Sequence, residues 1–218
     1  MSKAFTNGTF FLSPPTKRGK SMSQGWQNTS EQEEFVLRLL NNKKEGYYVE
    51  LGAAHSKNGS NTYRLENEFD WKGVSFEIVP ELHKEVSENR KNPCILGDAT
   101  KFNYIDYFEE NNFPEQIDYL QVDIDAGYQW DGRPAGNHYT TLHGLIAVPL
   151  NKYRFSVITF EHDSNMYWRN TAMRDAQREI LDSLGYSLVV RQIHEDWWVD
   201  PNVIGLEEYR SSFKWDTL

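Results

Sequence analysis

Between Tyr47 and Asn61 the chain reads YYVELGAAHSKNGSN, and this stretch constrains the fold more than any other. Tyr47, Tyr48 and Val49 form a β-type run that Glu50 and Leu51 carry to Gly52; small and polar residues follow, and Ser60, Asn61 and Thr62 open a helical pattern. Strand, tight turn and helix start is the opening unit of a parallel α/β sheet, where glycine admits a ligand to the backbone and the helix offers unpaired N–H groups. The dinucleotide fingerprint G-x-G-x-x-G shares that setting but fails here, because Ala54 and Lys57 stand where its later glycines belong. No pyrophosphate cradle is written into the turn.

What the turn does offer is acid. Glu50 ends the first strand and Glu77 the second. An ionised carboxylate at the second strand's end suits the paired hydroxyls of a ribose, since it accepts two hydrogen bonds at once. A ribose without a pyrophosphate points to S-adenosylmethionine, with two ordinary loop carboxylates as the alternative.

The remainder alternates in the same way. A capping box at Ser30–Glu33, lysines at 43 and 44 and a stop at Gly46 predict a helix over 31–44. Helix is expected over 61–69, strand over 74–78, helix from Pro80, strand over 93–96 and helix over 104–110. The nearly continuous apolar run 117–124 is expected to be a central strand buried on both faces, followed by a long loop over 126–137. Helix over 138–150, strand over 155–160, helix over 171–184 and two strands over 186–191 and 196–199 complete an α/β domain whose mostly parallel sheet ends in an antiparallel hairpin. Residues 1–30 hold no Asp or Glu but carry Lys3, Lys17, Arg18 and Lys20, and read as an irregular basic segment ahead of a single domain over 31–218. They are either a flexible tail or a cover for the ligand with Trp26 as anchor.

A net charge of -9 and a pI near 5.2 argue against a nucleic-acid partner. Cys94 is alone, which excludes an intrachain disulfide and a cysteine metal site. No apolar run approaches the ~18 residues that cross a bilayer, so no membrane partner is expected, and a reducing, cytoplasmic setting is.

In order and spacing, several runs resemble the FkbM-like family of class I S-adenosylmethionine-dependent methyltransferases. VELGAAHSKNGSNT (49–62) is similar to the family's first motif, WKGVSFEIVPEL (71–82) to its second, LGDAT (96–100) to its third and IDYLQVDID (117–125) to its fourth. FSVITFEHD (155–163) and LGYSLVVRQIHEDWWVDP (184–201) resemble the fifth strand and closing hairpin. The resemblance implies a Rossmann-like seven-stranded sheet with an antiparallel edge hairpin and helices on both faces. It implies that Glu50, Gly52 and Ala53 line the methionine and ribose side, that Glu77 holds the ribose hydroxyls, that Asp98 and Ala99 meet the adenine, and that Asp123 lies near the amino group; Asn61 and Ile78 complete the expected cofactor contacts. The chain departs from the family at Ala54 and His55, where a second glycine is usual, and at Asp123-Ile124-Asp125-Ala126, where Asp-x-Glu-Gly is usual.

Methyl transfer to a hydroxyl needs an aligned acceptor and a base. Asp125, Glu161, His162 and Asp163 are the candidates at strand ends four and five, His162 having the most suitable ordinary pKa; a structural imidazole bonded to a neighbouring acid is the other reading. Asp123 and Glu161, with their acidic neighbours, are also candidate ligands for Mg²⁺ or another divalent cation. Trp197-Trp198 is either a platform for a sugar ring or core packing. The expected activity is O-methylation of a small hydroxyl acceptor, a sugar or glycan; the alternative is a carbohydrate-binding module on a degenerate methyltransferase scaffold.

Overall fold

A computed structural model describes residues 31–124, 139–164 and 171–205; the basic segment 1–30, Asp125 and the 126–137 loop lie outside the described residues. The chain runs α1 (Glu31–Leu39), β1 (Tyr47–Leu51), α2 (Tyr63–Phe69), β2 (Lys72–Glu77), α3 (Pro80–Asn89), β3 (Cys94–Leu96), a 3₁₀ turn (Ala99–Lys101), α4 (Tyr104–Glu110), β4 (Gln116–Val122), α5 (Thr140–Ala147), β5 (Arg154–Glu161), α6 (Thr171–Ser183), β6 (Ser187–Arg191) and β7 (Glu195–Val199). The strands form one sheet ordered β3-β2-β1-β4-β5-β7-β6. All neighbours from β3 to β5 are parallel, and β7 is antiparallel to both β5 and β6. The expected α/β sheet with its closing hairpin is therefore present, with β7 inserted inside the edge.

The chain builds outward from β1 to β3 and then returns to place β4 on the other side of β1. That reversal opens a crevice at the carboxyl ends of β1 and β4. Two apolar layers flank the sheet. Val49, Leu51, Leu120, Val122 and Phe160 pack with α4, α5 and α6 through Tyr104, Phe108, Leu145 and Leu181, while Tyr48, Tyr119 and Val157 meet Phe35, Val36 and Leu65 from α1 and α2. Trp198 and Trp197 fall into these two layers at 2% and 3% exposure. Trp197 lies 4.6 Å from the ring of Phe35, and the Trp198 indole N–H donates to Gln177. The sugar-platform reading is thereby corrected: adjacent residues of a strand point to opposite faces, and both faces here are covered.

The helix expected over 31–44 ends at Leu39. Asn41 and Asn42 adopt positive φ, which asparagine tolerates better than most residues, and tertiary bonds hold the next turn: Lys43 pairs with Asp118 at 2.7 Å, and the Trp71 indole donates to the Lys43 carbonyl. Among the described residues no helix is long and apolar enough to cross a membrane.

Glu33, on the buried side of α1, accepts the Arg64 backbone N–H at 2.7 Å, and burial pushes its carboxyl from 4.5 up to about 7. A carboxyl with a raised folded-state pKa favours folding below the unfolded value, and that contribution is lost as pH rises through the folded one. Stability attributable to Glu33 should fall by about 3 kcal/mol as pH rises from 4.5 through about 7. Glu33→Gln should flatten that slope in urea titrations across the same range.

Candidate functional site

Registers place one rung of residues across the mouth of the crevice. Leu51 is opposite both Phe76 and Val122, and Val122 is opposite Phe160. One residue further along stand Glu77, Gly52, Asp123 and Glu161, and Glu161 is in turn opposite Glu195. Four of these five positions are acidic, and Gly52 leaves a gap between them. Glu77, Gly52, Asp123 and Glu161 border a cavity of about 790 Å³, a size suited to a nucleoside-containing ligand.

Glu77 is the best-defined group in the wall. Its Oε2 accepts the Ala54 N–H at 3.0 Å and its Oε1 the Val79 N–H at 2.8 Å. Two backbone donors fix the carboxylate's plane, and each oxygen keeps a lone pair for a ligand. The turn that delivers Ala54 is tight: the Gly52 and Ala53 N–H groups both donate to the Phe76 carbonyl, Gly52 has φ +90°, and Ala54 has φ +48°.

Beyond Glu77 the wall is apolar, formed by Phe76, Ile78, Val79, Leu82 and Ala99. Ile78 remains 61% exposed and Val79 41%. Such side chains beside a cavity gain by covering a flat, apolar ring. At its edge Asp98 accepts from the Thr100 N–H and hydroxyl and from Lys101 Nζ at 2.8 Å; the Lys101 bond, then those of Thr100, hold its carboxyl down at about 2. It is an anion at every physiological pH.

The opposite end is lined by Asp123, Glu161 and Asp163, with Thr140 and His143 from α5. Burial, a hydrogen bond with Asp123 and the charges of Asp123, Asp163 and Glu195 push the Glu161 carboxyl far above the ordinary carboxylic range. Two neighbouring carboxylates resist ionising together, so the shift favours the protonated form of Glu161 beside Asp123.

Gly52, Glu77, Ile78, Asp98, Ala99, Asp123 and Glu161 all border the cavity, as does Asp163. Glu50, Ala53, Asn61 and His162 do not. Glu50 is opposite Ser75, two residues short of Glu77, so it sits two rungs deeper, 1% exposed, accepting from the Ser75 hydroxyl at 2.6 Å. It supports the floor rather than the ligand. Ala53 is turned into the fold at 3% exposure, and Asn61 belongs to the outer end of the same turn. His162 follows Glu161 and so faces the other side of the sheet, toward α6. It is 1% exposed, accepts the Ser164 N–H at Nδ1, and places Nε2 3.8 Å from Asp196 Oδ1. The expectation of His162 as base is corrected on that ground, and the structural reading of the imidazole stands. Among the described residues, no group of three or more His, Cys, Asp or Glu has metal-holding geometry, so the divalent-cation expectation at Asp123 and Glu161 finds no ligand set.

Sequence reasoning missed Ala54, Val79, Leu82, Thr100, Lys101, Thr140 and His143. Thr100 and Lys101 follow Asp98 directly and were within reach of a short-range capping argument. Nothing local marks Thr140 or His143, which reach the cavity only because α5 packs there.

No family model and no curated protein matches the sequence. Among solved structures the fold is similar to a candidate rRNA methylase from Clostridium thermocellum, at 11% identity over 78% of this chain and 97% of that one with a TM-score of 0.52. It is also similar to a candidate O-methyltransferase from Klebsiella pneumoniae, at 13% identity over 79% and 80% with a TM-score of 0.51. Set against the METTL16 methyltransferase domain, 76% of this chain spans only 64% of that one, at 12% identity and a TM-score of 0.49. At these identities the likeness is one of fold. The chain has the Rossmann-like, seven-stranded fold of class I methyltransferases.

Proposed function

We propose that the protein is an S-adenosylmethionine-dependent methyltransferase that methylates a hydroxyl of a small acceptor, a sugar or glycan. The observation that carries the cofactor is Glu77. Its carboxylate is oriented by two backbone N–H groups, borders a cavity of about 790 Å³, and stands beside an apolar wall. That is the arrangement a ribose diol and an attached purine require, and the missing glycines leave no place for a pyrophosphate. The acidic rung from Glu77 to Glu161 complements a sulfonium and an ammonium.

Bound S-adenosylmethionine supplies an electrophilic methyl whose sulfur leaves as a neutral thioether. The protein's part is to align the acceptor oxygen and to take its proton as the oxygen–carbon bond forms and the carbon–sulfur bond breaks. Asp123, Glu161 and Asp163 border the cavity together and are the candidate proton-accepting unit, the raised Glu161 carboxyl favouring the protonated form that results. Thr140 and His143 add hydrogen-bonding groups suited to a polyol. The FkbM-like resemblance supports the same acceptor class. With both tryptophans in the core, the carbohydrate-module alternative loses one of its two motivating features and keeps only the missing glycines.

Titration calorimetry with S-adenosylmethionine tests the cofactor: saturable binding is expected, and no heat at millimolar ligand would contradict it. Incubation with a glycan panel, read by mass spectrometry, tests the acceptor. Glu161→Gln should lower kcat at saturating cofactor by about 10²- to 10⁴-fold, a loss that weaker cofactor binding alone does not produce. An unchanged kcat would remove Glu161 from the proton path.

A further inference from the structure

The cofactor turn lacks the glycines that usually let such a turn bend, yet Ala54 is held at φ +48° with its N–H on Glu77. A non-glycine residue there is strained and relaxes unless its flanks are fixed. One flank is fixed by the bonds of Gly52 and Ala53 to the Phe76 carbonyl. The other is fixed by a residue the chemistry does not use.

Arg90, at the end of α3, has a side chain only 1% exposed. Its Nε donates to Glu66 at 2.9 Å, Nη1 to the Ser60 hydroxyl at 3.1 Å and the Ser56 carbonyl at 3.5 Å, and Nη2 to the Thr62 hydroxyl at 2.8 Å and the Tyr48 hydroxyl at 3.1 Å. All five guanidinium N–H groups therefore have acceptors. Three of those acceptors, on Ser56, Ser60 and Thr62, belong to the segment that follows the cofactor turn. Glu85, from the same helix as Arg90, accepts the Ser56 N–H at 2.8 Å and its hydroxyl. Glu50, 4.0 Å away, and Glu66 supply the counter-charge, each 1% exposed. Burying such a group is a poor route to stability alone, since apolar side chains of similar volume often do as well.

We infer that Arg90 is a positioning residue for the cofactor cavity: it clamps residues 56–62 from within, and so sets the turn that presents the Ala54 N–H to Glu77. The inference rests on the methyltransferase reading for its ligand, but not for its geometry. Arg90→Lys keeps the charge and loses the fork; Thr62→Val removes one acceptor of Arg90 together with the hydroxyl's bond to Glu50, and adds or removes no charged side chain. For both, three quantities are measured: thermal midpoint, S-adenosylmethionine Kd, and hydrogen exchange of the Ala54 and Ser56 amides without ligand. The expected result for Arg90→Lys is faster exchange at both amides, a Kd raised about 10-fold or more, and kcat at saturating cofactor within about twofold. Thr62→Val should move exchange and Kd the same way, by about threefold, and decides the matter if Arg90→Lys does not fold. A lowered midpoint with unchanged amide exchange and unchanged Kd would overturn the inference, because a merely structural arginine gives that pattern. Should the wild-type chain bind no S-adenosylmethionine, the methyltransferase reading fails, and amide exchange alone still confirms or refutes the clamp.

Discussion

Glu77→Ala is expected to raise the Kd for S-adenosylmethionine by about 100-fold or more while leaving the chain folded. Hydrogen bonds to a charged acceptor are worth about 1.5 to 3 kcal/mol each, and the substitution removes both that a ribose diol would make. It also leaves the Ala54 and Val79 N–H groups without the oxygens they now donate to, so the turn loses an anchor. Glu77→Gln should lose nearly as much, since its carbonyl oxygen can accept from only one of the two backbone donors, and its NH₂ would face the other and offers no acceptor to a ribose hydroxyl. Calorimetry at several cofactor concentrations checks both variants, with circular dichroism confirming the fold. A Kd within threefold of wild type in Glu77→Ala would remove the ribose from this carboxylate.

Among the described glycines, Gly52→Ala should be the most damaging, because its added methyl makes the shortest contact. A Cβ built there lies 1.9 Å from the Asp123 carbonyl oxygen, and Gly52 has φ +90°. Overpacking of this kind costs about 1 to 3 kcal/mol, and the backbone conformation adds about 1 to 2. The neighbour is main chain, so it cannot swing aside. β1 and β4 would have to separate at the point where the cavity opens, because the Asp123 N–H also donates to the Leu51 carbonyl there. Chemical denaturation should show a loss of about 3 kcal/mol or more, accompanied by loss of cofactor binding. A variant as stable as wild type would contradict the close approach of these two strands.

The fold was legible because its strongest signals are local. Strands buried on both faces read as largely apolar runs, such as Ile117 to Val122 with Asp118 and Gln121 as its polar members, and each ends in a glycine or an acid where the chain meets the crevice. Glu77 was legible for the same reason, being the last residue of its strand. Depth was not. Glu50 looks like a second strand-end acid, but the register sets it beside Ser75, and its environment depends on Arg90, which is 40 positions away in the chain. His162 was open to a better reading, because it follows an acid that faces the cavity and must itself face away. The segment after Gly52 hid its partner altogether: nothing near Ser56, Ser60 or Thr62 announces that each accepts from the distant guanidinium of Arg90.

What occupies the rung between Glu77 and Asp123 decides whether this cavity is a cofactor site, and a crystal structure with S-adenosylhomocysteine measures that directly. The predicted result is both ribose hydroxyls on the Glu77 carboxylate, the purine against Ile78, Val79 and Leu82, and the sulfur directed toward Asp123 and Glu161. A ligand bound elsewhere, or one in this cavity whose ribose makes no hydrogen bond to Glu77, would contradict it.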